Sequence, residues 1–157
     1  MSRSIVRLLA CLALVFVIAA LAGLVTAPEI ATWYADLAKP SWTPPRVVFP
    51  VAWTLLYGLM AVALWRLWDR AAPSPQRRQA LAFFLVQLAL NAAWSPVFFG
   101  LHAIDAGLAV IVVLVVALFG TVVTSARVDR LSAILLLPYL LWVVYATTLN
   151  AGILAMN

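Results

Sequence analysis

The sequence predicts an all-α integral membrane protein that folds as a bundle of five transmembrane helices. Hydrophobic residues make up 67% of the 157 residues and charged residues only 10%, whereas soluble domains are about 45–50% apolar and about 25% charged. The mean hydropathy is +1.11 and the mass is 17.1 kDa. A fold of this size leaves much of its chain at the surface, so that surface must be largely apolar. The composition therefore excludes a soluble domain and a disordered chain.

Five apolar stretches are long enough to cross a bilayer as helices, since about 20 apolar residues cover about 30 Å of hydrocarbon. Strands of a membrane barrel would be shorter and would alternate apolar with polar residues. The stretches lie at about residues 5–26, 47–68, 80–100, 104–125 and 131–154, and we number them spans 1 to 5. They leave room for a single domain over residues 1–157.

Span 1 also resembles a secretory signal, because Arg3 and Arg7 precede an apolar run that ends near Ala27. The run is longer than the apolar core of such signals, which has about 7–15 residues. Pro28 also follows the candidate cleavage site directly. We therefore expect span 1 to be a retained helix.

The distribution of basic residues predicts the orientation in the membrane. Of the 10 Lys and Arg residues, all but Lys39 and Arg46 lie in or beside the N-terminus, the connection between spans 2 and 3, or the connection between spans 4 and 5. Positive charge collects on the cytoplasmic side of membrane proteins. The N-terminus is therefore predicted to be cytoplasmic and the C-terminus outside. The same rule explains the sequence pI of about 10.2 without a nucleic-acid partner.

The first loop, residues 27–46, is the one long connection. Pro40, Pro44 and Pro45 restrict its backbone, so a stiff segment is expected. Long loops in compact units are often lids or binding loops. Lys39 and Arg46 in this loop would either bind carboxylates of a ligand or extend toward lipid headgroups, and the sequence leaves both open.

The sequence lacks the residues that several kinds of function require. No Asp, Glu, Lys or Arg lies in the middle of a span, which disfavours an ion-coupled pump. Cys11 is the only cysteine and His102 the only histidine, so no metal site or intrachain disulfide is expected. Neither a hydrolase nor a kinase constellation is present.

Aromatic residues, 11% of the chain, recur at helical spacing within the spans. Gln87 and Asn91 in span 3 need hydrogen-bond partners, either on neighbouring helices or on a ligand. Pro50, Pro96 and Pro138 are expected to kink their helices and open space between them. Together these features favour a planar, mostly apolar ligand. The three faces are Phe49, Trp53 and Tyr57 in span 2; Gln87, Asn91, Trp94, Ser95 and Phe98 in span 3; and Trp142, Tyr145, Ala146 and Leu149 in span 5.

The loop and these faces resemble the TspO/MBR family, which comprises the tryptophan-rich sensory proteins of bacteria and the mitochondrial translocator protein, or peripheral benzodiazepine receptor. The similar segments run in the same order over most of the chain. They are Trp33-Tyr34, Lys39-Pro40-Ser41-Trp42, Pro44-Pro45, Pro50 to Trp53, Tyr57, Gln87-Leu88-Ala89-Leu90-Asn91, Trp94, Pro96, Phe98-Phe99-Gly100, Pro138-Tyr139-Leu140, Trp142 and Ala146-Thr147-Thr148-Leu149-Asn150.

The resemblance implies a tetrapyrrole-binding protein of the bacterial inner membrane, with a sensory, regulatory or protective role. Protoporphyrin IX would lie between spans 2, 3 and 5 beneath the first loop. No metal or other cofactor is implied, and the family is usually dimeric. By motif matching, the pocket would be lined by Trp53, Asn91, Trp142 and Ala146 with Phe49, Trp94 and Phe98 nearby, and the lid would contain Tyr34, Trp42 and Pro45.

Two alternatives remain. A light-dependent porphyrin-degrading enzyme, a function proposed within the family, would use Trp53 and Trp142 as electron donors. A transporter of porphyrin or another small molecule would need a second open state. Sterol transport is not expected, because the end of span 5 lacks the tyrosine and basic residue of the sterol-recognition pattern found in eukaryotic relatives.

Overall fold

The computed structural model describes residues 3–157, which are almost entirely helical. Five of its helices are long and apolar enough to cross a membrane, which confirms the predicted fold class. The helices are α1 (Arg3–Ile30), α2 (Trp33–Asp36), α3 (Val48–Trp65, continued by a π-helical turn over Arg66–Arg70), α4 (Pro75–Ser95, continued by a π-helical turn over Pro96–Gly100), α5 (Ile104–Ala126) and α6 (Arg130–Met156). Spans 1 to 5 correspond to α1, α3, α4, α5 and α6.

Helix α1 extends beyond the predicted end of span 1, and helix α4 begins before the predicted start of span 3. Helix α1 continues through Pro28 to Ile30, and the Thr32 hydroxyl donates a 3.0 Å hydrogen bond to the Pro28 carbonyl in its last turn. The first loop also contains the short helix α2. Helix α4 begins at Pro75, because the Ser74 hydroxyl accepts the Arg77 N–H at 3.1 Å and proline suits the first helical position. These turns are polar, so hydropathy does not find them.

Two π-helical turns end α3 and α4. The Ala71 N–H donates to the Arg66 carbonyl at 3.0 Å, and the Leu101 N–H donates to the Pro96 carbonyl at 2.9 Å. Pro96 has no N–H to bond within α4, so the irregularity predicted at this proline takes the form of a widened turn rather than a break.

Around the bundle, the helices follow the order α1, α3, α6, α5, α4, with α4 packing back against α1. The short third and fourth loops of the sequence predict that α4–α5 and α5–α6 are antiparallel neighbours, and these two pairs have the most extensive contacts. Every long helix contributes to one core, whose fully buried side chains include Val15, Met60, Phe84, Leu118 and Tyr139.

The bundle has two chemically different ends. We call the end formed by the start of α1 and by residues 66–78 and 127–130 the arginine end. The opposite end, formed by residues 27–47 and 101–104 and the last turns of α6, is the loop end. The sequence predicts that the arginine end is cytoplasmic.

Candidate functional site

Six aromatic side chains of α3 and α6 form a continuous group, which we call the α3–α6 cluster. Its centre is Trp53, whose ring centroid lies 5.3 Å from Tyr57, 6.2 Å from Tyr139 and 6.4 Å from Trp142. Phe49 and Tyr145 flank Trp142 at 5.9 and 5.8 Å. Edge-on and tilted contacts of this kind are the arrangements that aromatic quadrupoles favour. The structure thus brings together three predicted site residues, Phe49, Trp53 and Trp142.

Asn91 connects this cluster to α4. The Tyr57 hydroxyl donates to Asn91 Oδ1 at 2.7 Å, and Asn91 Nδ2 donates to the Tyr139 hydroxyl at 2.9 Å. All three side chains are buried, and the two bonds join α3, α4 and α6 in the interior of the bundle. Of the two roles left open for Asn91 by the sequence, this geometry is interhelical hydrogen bonding.

Gln87 lies one helical turn before Asn91 on the same face of α4 and is completely buried. Among residues 3–157, neither its Oε1 nor its Nε2 has a hydrogen-bond partner, and the same holds for the indole Nε1 of Trp142. An unpaired buried polar atom costs about 1–3 kcal/mol of stability. Both side chains therefore have hydrogen-bonding capacity that a ligand would satisfy.

A groove of about 430 Å³ opens on the flank of the bundle between α3 and α6. Its volume lies within the range of about 300–1,000 Å³ that is typical of small-molecule sites. We call it the α3–α6 groove, and it reaches the aromatic cluster through Trp142 and Tyr145. Its lining residues are Ala52, Leu55, Leu56, Pro138, Leu141, Trp142 and Tyr145.

A second aromatic group forms at the loop end. Trp94 stacks on Phe98 with 5.0 Å between ring centroids, and the Trp94 indole donates to Asn150 Oδ1 at 3.2 Å. Tyr34 of α2 packs against Phe98 at 6.4 Å and Phe99 at 5.5 Å. The predicted residues Tyr34, Trp94 and Phe98 therefore belong to this loop-end cluster, and its two other rings are Trp33 and Phe99.

The first loop is fastened to the last turns of α6. The Ala38 N–H donates to Asn157 Oδ1 and the Ala38 carbonyl accepts from Asn157 Nδ2, both at 3.0 Å. The Tyr145 hydroxyl donates to the Trp42 carbonyl at 2.7 Å, although the Trp42 ring itself is half exposed. Pro45 is exposed, and its carbonyl accepts the Val48 N–H at the start of α3. Of the three predicted lid residues, Trp42 is therefore the one bonded to the α3–α6 cluster.

Lys39 has a local role that the sequence did not suggest. Its Nζ donates to the carbonyls of Ala35 at 3.1 Å and Leu37 at 2.8 Å, and it lies 4.7 Å from the centroid of the Tyr34 ring. It thus caps the end of α2. Burial raises the pKa of the Tyr34 phenol, and the nearby Arg46 charge offsets part of that rise.

His102 lies in the turn before α5, as its position in the sequence indicated. Its ring stacks on Trp33 with 4.3 Å between centroids, and its Nε2 is 3.0 Å from Glu29 Oε2. In the part of the chain that the structure describes, no group of three His, Cys, Asp or Glu side chains is arranged to hold a metal ion.

Three residues of the α3–α6 cluster, Tyr57, Tyr139 and Tyr145, were not among the predicted ligand-binding residues, although Tyr145 lay on the predicted face of span 5. Tyr57 lay on the predicted face of span 2, and Tyr139 precedes Trp142 by three residues, so helical spacing could have identified both. Ala146, which was predicted, is partly buried and packs against the common core.

Comparison with known proteins shows the family to which the chain is similar. Residues 10–156 match the model of the TspO/MBR family. Protein CrtK of Rhodobacter capsulatus is 42% identical over 125 residues, covering 80% of this chain and 78% of that protein. Tryptophan-rich protein TspO of Chlorobaculum tepidum is 37% identical over 158 aligned residues, covering 100% and 99% of the two chains. The human translocator protein is 38% identical over 119 residues, covering 75% and 70%.

Proposed function

Because the chain belongs to the TspO/MBR family, we propose that its sensory or translocator role in the membrane depends on binding a tetrapyrrole such as protoporphyrin IX at the α3–α6 cluster. The protein is an integral membrane protein, and its bacterial relatives indicate the bacterial inner membrane. A homodimer and the lack of any metal or other cofactor, which the resemblance implies, stay predictions.

The observation that carries this proposal is the position of Trp142. Its ring lines the α3–α6 groove and contacts Phe49 and Trp53, while its buried Nε1–H has no partner in the described chain. Because this N–H is buried, a planar macrocycle entering through the groove would have to displace packed side chains. It would then stack on aromatic rings and accept the N–H through a carboxylate or a ring nitrogen. An all-hydrocarbon ligand would leave the N–H unpaired, so the site favours a ligand with acceptor atoms.

In this proposal the role of Asn91 is to hold neighbouring side chains in place, not to contact the ligand directly. Both polar ends of its amide are engaged by Tyr57 and Tyr139. Each tyrosine ring packs against Trp53, so the amide fixes the indole on which the ligand stacks. Gln87, one helical turn before Asn91, is the amide whose hydrogen-bonding capacity remains free in the described chain.

The test is a titration of the purified protein with protoporphyrin IX in the dark, followed through the Soret absorption of the porphyrin. Trp142→Phe keeps an aromatic ring but removes the N–H donor. We expect its dissociation constant to rise about 5- to 10-fold, which corresponds to the loss of about 1–1.4 kcal/mol for one hydrogen bond.

Trp68→Phe is the matched control, because Trp68 lies at the arginine end on the π-helical turn that ends α3. It should bind with wild-type affinity. Equal weakening in both variants, or uptake that does not saturate in any protein, would refute binding at the α3–α6 cluster and indicate partition of the porphyrin into detergent.

The light-dependent enzyme remains a second candidate because Trp53 contacts three other oxidisable side chains. Trp53 contacts Tyr57, Tyr139 and Trp142 with centroid distances of 5.3 to 6.4 Å, so an electron lost by one ring has close neighbours from which to be replaced. Illumination of the bound porphyrin should then give turnover that is lost in Trp53→Phe and Trp142→Phe proteins saturated with ligand. Unchanged turnover in both would exclude these residues as donors.

A porphyrin transporter would show uptake into proteoliposomes. Across the described helices, no charged side chain lies at the middle of a span to couple such movement to an ion gradient. Uptake by oriented, binding-competent protein would nevertheless favour the transporter over a receptor.

A further inference from the structure

One corner of the arginine end combines several arginines with two tryptophans where α1 meets the end of α3. We propose that this α1–α3 corner binds the headgroup of an anionic phospholipid. Its members are Ser4, Arg7, Trp65, Trp68, Asp69, Arg70 and Arg77.

The corner is rigidly assembled. Asp69 accepts hydrogen bonds from the Ser4 hydroxyl at 2.6 Å and from Arg7 Nη1 at 2.9 Å. The Trp65 indole donates to the Ser4 carbonyl at 3.1 Å, which fixes the start of α1 against α3. Arg77 at the start of α4 donates to the carbonyls of Leu67, at 2.9 Å, and Trp68, so its positive charge is held beside the turn.

Arg70 is the most exposed arginine of this corner and has donors left to offer. Its Nε is 3.6 Å from Asp69 Oδ2, beyond hydrogen-bonding distance, and its side chain is 58% exposed. Its guanidinium lies 5.0 Å from the centroid of Trp65, while that of Arg7 lies 5.5 Å from Trp68. The two indoles thus hold two guanidinium groups on either side of a single carboxylate.

In the second arginine–aspartate pair at the same end, by contrast, the carboxylate has all its hydrogen-bond partners within the protein. Arg66 Nε and Nη2 donate to the two carboxylate oxygens of Asp129 at 2.8 and 2.9 Å. The Ser132 N–H and hydroxyl also donate to that carboxylate. One charge balances the other there, whereas the α1–α3 corner places both Arg7 and Arg70 beside Asp69 and so keeps a net positive charge.

The position and chemistry of the corner select a lipid. Tryptophan favours the depth of the headgroups, and Trp68 is 40% exposed at the end of a membrane-spanning helix. A phosphodiester accepts the fork of donors that a guanidinium presents. Anionic lipid in the adjoining leaflet attracts basic groups near the membrane surface. A soluble phosphate would match the charge but would make no use of the two indoles.

The test compares the full-length protein in nanodiscs of phosphatidylglycerol and phosphatidylcholine with identical acyl chains, at low ionic strength, by thermal unfolding. We expect phosphatidylglycerol to raise the Tm of the wild type above its value in phosphatidylcholine. In Arg70→Gln, at least about half of that increment should be lost, with little change in phosphatidylcholine because the Arg70–Asp69 pair is loose.

Arg78→Gln is the matched control, since Arg78 is an exposed arginine of α4 with the same charge but outside the corner. It should keep the wild-type increment. Equal losses in the two variants would mean general attraction to a charged surface and would overturn a defined site, as would equal Tm values of the wild type in the two lipids. If inorganic phosphate added to detergent-solubilised protein reproduces the full increment, the ligand is a free anion and not a lipid.

Discussion

The two ends of the bundle are held together by different forces. At the arginine end, ion pairs join α1 to α3 through Arg7 and Asp69, and α3 to the start of α6 through Arg66 and Asp129. At the loop end, ring contacts and a few hydrogen bonds to backbone atoms hold the first loop, and the contact between Glu29 and His102 is partly exposed. The arginine end is therefore fixed by specific charge pairs, and the loop end mainly by packing.

In the proposed function, this difference assigns anchoring in the membrane to the arginine end and ligand binding to the side nearer the loop end. Ion pairs at the edge of a membrane are satisfied without a ligand, so the arginine end has little to gain from a molecule inside the bundle. The α3–α6 cluster lies toward the loop end and contains a buried donor, Trp142 Nε1, without a partner. The hydrogen bonds that hold the first loop are few and exposed, so they can open at low cost, which suits the end through which a ligand would enter in the proposed function.

The largest effect on stability is expected in the interior of the bundle, where Asn91 joins Tyr57 and Tyr139. Asn91→Leu keeps the branched outline of the side chain but leaves two buried hydroxyls without these partners, so the free energy of unfolding should fall by about 2–4 kcal/mol. The triple variant Asn91→Leu, Tyr57→Phe, Tyr139→Phe removes every polar atom of the group and should recover much of that loss. Reversible unfolding in detergent measures both, and a triple variant less stable than the single one would contradict the assigned hydrogen bonds.

Gly152 tests how the loop end is packed. A Cβ atom at this position would overlap Pro40 Cγ and lie 3.3 Å from Trp42 Cζ2. Because the proline ring cannot move aside without shifting the loop, Gly152→Ala should destabilise by about 1–3 kcal/mol and increase proteolysis within residues 37–46.

Gly58→Ala is its matched control, since nothing lies within 4 Å of an added Cβ in that helix. Alanine there should stabilise by about 0.5–1 kcal/mol. If both substitutions change stability in the same direction, contact with Pro40 does not hold the loop.

The pH dependence of stability tests the contribution of Asp129 at the arginine end. The hydrogen bond from Arg66 is the main cause that holds the pKa of this carboxyl below its usual range, and bonds from Ser132 add to it, while burial acts in the opposite direction. A lowered pKa in the folded state means that the stabilisation is present above the ordinary aspartate pKa of about 3.9 and is lost as pH falls through the folded value.

Asp129→Asn should therefore lower stability by about 1 kcal/mol near neutral pH, with a difference from wild type that shrinks below about pH 3.9. Thermal unfolding between pH 3 and 7 measures this difference. A gap that stays constant with pH would show that the charge of Asp129 contributes nothing.

The smallest effect is expected at Asn157, whose side chain bonds to both backbone groups of Ala38. Asn157→Ala should cost about 0.5 kcal/mol, because the pair is exposed, and should speed hydrogen exchange of the Ala38 amide. Thr148→Ala removes a polar atom that bonds within α6 and should leave that exchange rate unchanged. Unchanged exchange in Asn157→Ala would mean that the loop is held without this contact.

The sequence predicted the features that depend on additive, local properties. Hydropathy located all five spans, and the short loops predicted the neighbour pairs of α4, α5 and α6. Helical spacing placed Phe49 and Trp53 on one face, and the structure brings both to Trp142. Hydropathy failed at the start of α4 and at the end of α1, where polar or proline-containing turns continue the helices beyond the apolar stretches.

Tertiary structure alone decided which polar atoms are paired. Asn91 and Gln87 have the same chemistry and lie one turn apart on one helix, yet Asn91 meets two tyrosine hydroxyls and Gln87 meets none in the described chain. It also divided the predicted site residues between the α3–α6 cluster and the loop-end cluster. The physical reason is that burial follows from composition and period along one helix, whereas a hydrogen bond needs two groups within about 3 Å and thus depends on how separate helices cross.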